Sequence, residues 1–96
     1  YLEKVYENAL LHELTARGIG AIAQAEVPVA YKGTLVGVYV ADLLVEGRVI
    51  CEIKAVETLA PAHQAQLINY LKATGLKVGL LLNFGSRSLQ VKRMVF

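Results

Sequence analysis

Apolar side chains at Leu2, Val5, Tyr6, Ala9, Leu10 and Leu14 recur every three or four positions, and Arg17-Gly18 follows as a basic last turn and a glycine stop. Residues 2–16 are therefore predicted to form an amphipathic helix. By its spacing, Glu3, Tyr6, Leu10 and Glu13 share one stripe of that helix. The period then changes from 3.6 to two. Ala23, Ala25, Val27, Val29 and Tyr31 fall on one side of a strand over 22–31, in which Pro28 calls for an edge position or a bulge. Lys32-Gly33 is a turn signal, and residues 34–45 and 48–56 read as second and third strands of a meander. Pro61 stands at the first position of a second helix over 62–74, which Gly75 stops. Residues 77–84 are a nearly unbroken apolar run, a strand buried on both faces, and 89–96 form a last, more polar strand.

The order is helix, three strands, helix, strand, strand. Because the apolar runs around Ile50 and Leu80 have no polar face, a mixed central sheet flanked by one helix on each side is expected, an α/β fold. The second helix serves as the crossover, with right-handed connection, that lays the fourth strand parallel to a member of the meander. No repeat, low-complexity tract or linker interrupts the chain, so residues 1–96 read as a single domain.

Composition adds boundaries. With 96 residues and 55% hydrophobic content, the chain is near the lower end for a self-sufficient core, which leaves room for a homodimer. Ten Lys and Arg against eight Asp and Glu give +2, too little to diagnose a nucleic-acid partner by charge alone. The single Cys51 cannot form an intrachain disulfide and sits in an apolar strand, which favours a reducing, cytoplasmic setting. No apolar run reaches the roughly 18 residues needed to span a bilayer, and no secretory signal pattern is present. A helical pattern that begins at Tyr1 without a preceding cap leads us to expect a further N-terminal segment.

Asp42, Glu52 and Lys54 stand out because they interrupt strongly β-forming, hydrophobic runs, where charges need pairing or a metal. Glu52 and Lys54 are two apart on a strand and share a face. Asp42 depends on register. A two-residue loop at Glu46-Gly47 would place it opposite Cys51, on the other face. A three-residue loop of Val45, Glu46 and Gly47, with Gly47 left-handed, would pair Leu44 with Arg48 and Asp42 with Ile50, making Asp42 a diagonal neighbour of Glu52. A bulge near Asp42 would do the same. Two carboxylates so placed, with main-chain and water oxygens, suit a hard cation such as Mg²⁺ or Mn²⁺, and a nearby lysine would orient water or stabilise a pentavalent phosphoryl transition state. The competing reading is an Asp42–Lys54 ion pair at the rim of the sheet.

These residues resemble a known pattern. Asp42 followed by Glu52-Ile53-Lys54, in this order of elements, is similar to the PD-(D/E)XK nuclease superfamily. More narrowly, Glu3 and Tyr6, Val29-Ala30-Tyr31-Lys32-Gly33, Ala41-Asp42-Leu43-Leu44-Val45, Glu52-Ile53-Lys54-Ala55-Val56, His63-Gln64-Ala65-Gln66-Leu67, Tyr70-Leu71 and Gly79-Leu80-Leu81-Leu82-Asn83-Phe84 resemble its GxxExxY family across nearly the whole chain. The resemblance implies a restriction-endonuclease-like αβββαβ core and a metal-dependent phosphodiesterase. Asp42 and Glu52 would be metal ligands, the carbonyl of Ile53 a third, and Lys54 the catalytic lysine. Glu3 matches the signature glutamate and would supply a further ligand, against the reading of a solvated first-turn glutamate favoured by the helix dipole. The signature glycine would fall just before Tyr1, and the helical segment usual before it is absent, so an N-terminally truncated form is expected.

His63, Gln66 and Tyr70 can look at one surface of the second helix and resemble a Gln-xxx-Tyr feature that borders the site in exonuclease branches; a core tyrosine and a surface histidine are the simpler readings. Arg87, Lys92 and Arg93 near the last strand could track phosphates, against a default of scattered surface charge. No CxxC or HExxH zinc spacing, P-loop or GxSxG elbow occurs, which removes those enzyme classes. The expectation is thus a Mg²⁺- or Mn²⁺-dependent nuclease acting on DNA rather than RNA. Its alternative is a catalytically silent nuclease-fold domain in nucleic-acid binding or protein interaction.

Overall fold

The computed structural model describes residues 2–96. Its elements follow the expected order: α1 (Leu2–Ala16), β1 (Ala21–Tyr31), β2 (Thr34–Val45), β3 (Val49–Lys54), α2 (Pro61–Thr74), β4 (Val78–Asn83) and β5 (Gln90–Val95). The strands form a single sheet in the order β1-β2-β3-β4-β5. β1, β2 and β3 are the antiparallel meander, β4 lies parallel to β3 across the α2 crossover, and β5 returns antiparallel to β4.

A helix covers each face of the sheet because both faces of β3 and β4 carry apolar side chains, Ile50 and Leu81 on one and Cys51 and Leu80 on the other. On one face, Leu67 and Leu71 of α2 pack with Ala41, Ile50, Leu59 and Leu81 into a core from which water is excluded. Gly79 lets the helix come this close, since a Cβ there would lie 2.8 Å from Leu67 Cδ1. On the other face, Leu10 and Leu14 of α1 line an apolar cleft of ≈ 260 Å³ with Val45, Val49, Cys51, Leu80 and Leu82. α1 stops at Gly18 (φ +73°) and α2 at Gly75 (φ +78°), both left-handed as a terminating glycine allows. No helix among the described residues is long and apolar enough to cross a membrane.

Pro28 lies on the free edge of the sheet, where its missing N–H costs nothing, and the β1–β2 register slips beside it, between Val29 and Ala30. The β2–β3 turn differs in detail from the expectation. Its odd residue is Arg48, not Val45: Val45 pairs with Val49 and Leu44 with Ile50. Glu46 and Gly47 are both left-handed (φ +54° and +66°), and the Arg48 N–H closes the turn on Val45 O at 3.0 Å. The cause is a clasp with the α1–β1 loop. The Glu46 N–H donates to Gly20 O at 2.8 Å, and the Glu46 carboxylate accepts the Gly20 N–H at 3.1 Å. Pinned in this way, Glu46 must take the positive φ, and the extra residue falls after Gly47. β3 accordingly starts one position later than expected.

Candidate metal and catalytic site

The register decides what the three charges can do. Counting on from Leu43 opposite Cys51, the next pair would be Asp42 opposite Glu52, directly across and not diagonal. The ladder stops there. The Asp42 N–H donates to Glu52 Oε2 at 3.2 Å, and the Ile53 N–H donates to Asp42 Oδ2 at 2.8 Å. Each strand's main-chain donor is thus taken by the other strand's carboxylate, which spreads the strands while satisfying both N–H groups. On the opposite side of β2, Gln24 occupies the position facing Asp42. It has φ +51° and belongs to no ladder pair, so the regular sheet is interrupted on both sides of Asp42.

Each carboxylate keeps one oxygen in reserve. Among the described residues, Asp42 Oδ1 and Glu52 Oε1 accept no hydrogen bond. In an extended strand the N–H and C=O of one residue point to the same side, so the Ile53 carbonyl also looks toward β2. These are hard oxygen donors. Among the described residues no group of three or more His, Cys, Asp and Glu side chains could hold a metal ion. Two carboxylates and a main-chain carbonyl are oxygen donors of the kind a divalent cation takes together with waters.

Electrostatics agree with that donor set. Burial raises the Glu52 pKa to about 6, with the Tyr39 hydrogen bond pulling it down and the Asp42 charge pushing it up. Burial also raises Asp42, opposed by the Ile53 N–H and reinforced by the Glu7 charge. Lys54 lowers both carboxylates. It forms no ion pair among the described residues, whose pairs are Lys4–Glu7 and Arg17–Glu13, so the rim ion pair of the simpler reading is not formed there. Burial first, then the Glu52 charge, pushes the Cys51 thiol up to about 11, leaving a neutral packing residue.

A stability consequence follows for the metal-free protein. Because Glu52 has a higher pKa folded than unfolded, its favourable contribution is full below the unfolded value near 4.5 and is lost as pH rises through about 6. For this half-buried group the loss is on the order of 1 kcal/mol after screening. Thermal melts in a chelator should show Glu52→Gln gaining on wild type between pH 5 and pH 7.5. Parallel pH profiles for the two proteins would disprove it.

α1 brings residues that the sequence reading ranked wrongly. Glu7, not Tyr6 or Glu13, shares the sheet-facing stripe with Leu10 and Leu14. Glu7 is 3% exposed, while Glu13 is exposed and paired with Arg17 at 2.6 Å. Tyr6 turns aside to stack on Phe84, ring centroids 4.7 Å apart. The Glu7 carboxylate takes Lys4 Nζ and Gln24 Nε2, both at 2.7 Å. Its spacing, four after Glu3 and three before Leu10, was the signal that could have found it. Glu3 is exposed and lines a cleft of ≈ 210 Å³ with Lys4, Glu7, Gln24, Asp42 and Ile53. Nothing in the sequence pointed to Gln24.

On α2, Tyr70 reaches the site at one remove. Its ring stacks on Tyr39 at 4.0 Å and 26°, and the Tyr39 hydroxyl donates to Glu52 Oε2 at 2.5 Å. Burial and the Glu52 carboxylate push the Tyr39 phenol far above its ordinary range, so it remains a donor. His63 caps its own helix, Nδ1 accepting the Ala60 N–H at 3.0 Å, and Gln66 is exposed one turn before Tyr70. Arg93 pairs with Leu80, whereas the row level with Lys54 runs through Asn83 to Gln90. Arg93 therefore lies about 10 Å back along β5 from the site end and two strands over.

Sequence reasoning also passed over Asn83. It is fully buried and completely satisfied: Oδ1 accepts the N–H groups of Val56 and Gly85, each at 3.0 Å, and Nδ2 donates to Val56 O and Gln90 Oε1, each at 2.8 Å. This one side chain ties the segment after Lys54 to the β4–β5 loop.

A family profile for the PD-(D/E)XK nuclease superfamily matches residues 1–94. No curated protein matches the chain. Among solved structures, the crystal structure of SSO0001 is similar, with a TM-score of 0.71 at 19% sequence identity, over 98% of this chain and 50% of that one. That likeness concerns the fold, and the chain spans about half the length of the protein it matches.

Proposed function

Since the chain belongs to the PD-(D/E)XK nuclease superfamily, we propose that it is a divalent-metal-dependent nuclease, hydrolysing phosphodiester bonds of DNA in preference to RNA. The observation that carries this reading is the splayed strand pair. There the carboxylates of Asp42 and Glu52 each take a main-chain N–H of the other strand, each keeps one oxygen that accepts no hydrogen bond among the described residues, and Lys54 is in no ion pair among them. Asp42, Glu52 and the Ile53 carbonyl would hold Mg²⁺ or Mn²⁺, and Glu3 lines the cleft into which Asp42 and Ile53 open. A cation there would supply Lewis-acid polarisation of the phosphate and a more acidic bound water. Lys54, in no ion pair among the described residues, would balance the charge that builds on the phosphoryl oxygens and orient the attacking water. The Ile53 N–H fixes the Asp42 carboxylate, and Tyr39 fixes that of Glu52. Glu3 and Tyr6, with the Glu52-Ile53-Lys54 run, support the narrower GxxExxY assignment.

Gln66, Tyr70 and His63 form the α2 side of this reading, where the strand to be cut would lie. The missing third metal-binding side chain among the described residues favours a second reading, a nuclease-fold domain that grips nucleic acid without cutting it. An assay on linear, nicked and single-stranded DNA and on RNA separates the two. Cleavage should vanish in chelator and return with Mn²⁺. Salt-sensitive retention of DNA without turnover at any metal concentration would establish the silent reading and refute the first.

A further inference from the structure

We propose that Tyr39 is the positioning residue for Glu52, its hydroxyl holding one carboxylate oxygen so that the other is presented to the cation. This rests on the metal-dependent reading above and names the part that makes the site ready. Glutamate has three rotatable bonds, and fixing such a side chain costs up to about 2 kcal/mol of rotamer entropy. A long, mobile carboxylate is therefore a poor partner for an aspartate whose position the main chain already sets.

The structure supplies the restraint from three directions. The Tyr39 hydroxyl donates to Glu52 Oε2 at 2.5 Å, and the Asp42 N–H donates to the same oxygen at 3.2 Å. With both donors on Oε2, Oε1 is left without a protein partner among the described residues. The phenol is held in turn by Tyr70, stacked on it at 4.0 Å, and by its contact with the apolar core under α2. A phenylalanine at 39 would fill that space equally well. The hydroxyl is the one atom that packing does not require, and it is spent on Glu52. Partners of this kind set the orientation of a metal-binding carboxylate, and removing one typically weakens metal binding ten- to a hundredfold.

The test is Tyr39→Phe, which preserves the ring and its stack. In calorimetric titration with Mn²⁺, at a temperature where both proteins are fully folded by circular dichroism, the dissociation constant should rise at least tenfold. Carbon relaxation of the Glu52 Cγ methylene in the metal-free protein gives a second measure. That group should be rigid in wild type and mobile in the variant. Affinity within twofold of wild type, or unchanged Cγ motion, would overturn the assignment of Tyr39 alone. Absence of Mn²⁺ binding by the wild-type protein itself would instead overturn the metal-dependent reading, and this one with it.

Discussion

Lys54→Ala is expected to lower Mn²⁺-dependent cleavage by about a hundred- to a thousandfold, the loss usual for a group that stabilises transition-state charge, while leaving Mn²⁺ affinity equal to wild type or tighter. The two halves have the same cause. Lys54 lies on the face of β3 that carries Glu52, and its positive charge opposes the entry of another cation while favouring a phosphate. The lysine charge already lowers both Asp42 and Glu52, which is the signature of a cation that shares their space without forming an ion pair with either. Single-turnover cleavage and calorimetric titration on the same samples would measure both halves. Activity retained within tenfold, or metal affinity falling in step with activity, would mean that Lys54 is a structural counter-ion. Lys54→Arg should not rescue the rate, because a planar guanidinium does not replace a compact ammonium at such a site.

Gly85→Ala should unfold the molecule more readily than any exposed substitution, by about 3 kcal/mol or more. A Cβ at residue 85 would lie 2.4 Å from Val56 N and 2.5 Å from Ala55 C, both main-chain atoms with no freedom to swing away. Relief requires the β4–β5 loop to part from the segment after β3. That movement would break the two bonds from Asn83, which is fully buried, to the Val56 main chain. Overpacking of about 1 to 3 kcal/mol and loss of buried hydrogen bonds of similar size add here because they are one event. For a chain of this length the melting temperature should fall on the order of 15 °C. Chemical denaturation gives the free energy directly, and a cost below 1 kcal/mol would show that the loop relaxes without losing Asn83.

Much of the fold could be read from the chain because its apolar spacing is unambiguous. Leu10 and Leu14 repeat at helical period, Ala25 and Val27 at strand period, and the run from Val78 has no polar side, so the two helices had to cover two faces. The candidate site was only partly legible. Residue types picked out Asp42, Glu52 and Lys54, but their pairing turned on which residue of the turn is extra. That is set by Glu46 reaching back to Gly20, a contact between segments far apart in sequence. By residue type Glu7 carries no such signal, because a carboxylate in a helix is ordinarily solvated; Lys4 and Gln24 reverse that only in three dimensions. The left-handed Gln24 breaks the rule that such positions fall to glycine or asparagine, and no local pattern could have announced it. Asn83 falls inside the strand predicted over 77–84, whereas β4 ends on it, and its four bonds depend on two loops meeting.

The position of Pro28 on the outer strand bears on how the protein behaves when crowded. A sheet that is not closed into a barrel offers its rims as templates for further strands, the first step toward fibrils. Along the β1 rim the proline removes a donor, the register slip beside it bends the backbone, and the turned Gln24 interrupts the row again, so that rim cannot be copied by a flat strand. The β5 rim has no such irregularity and relies on the charges of Lys92 and Arg93. Steric protection is indifferent to ionic strength, whereas charge repulsion is screened. In concentrated, salty solution the molecule is therefore guarded on one side only, and any edge-to-edge self-association would begin at β5.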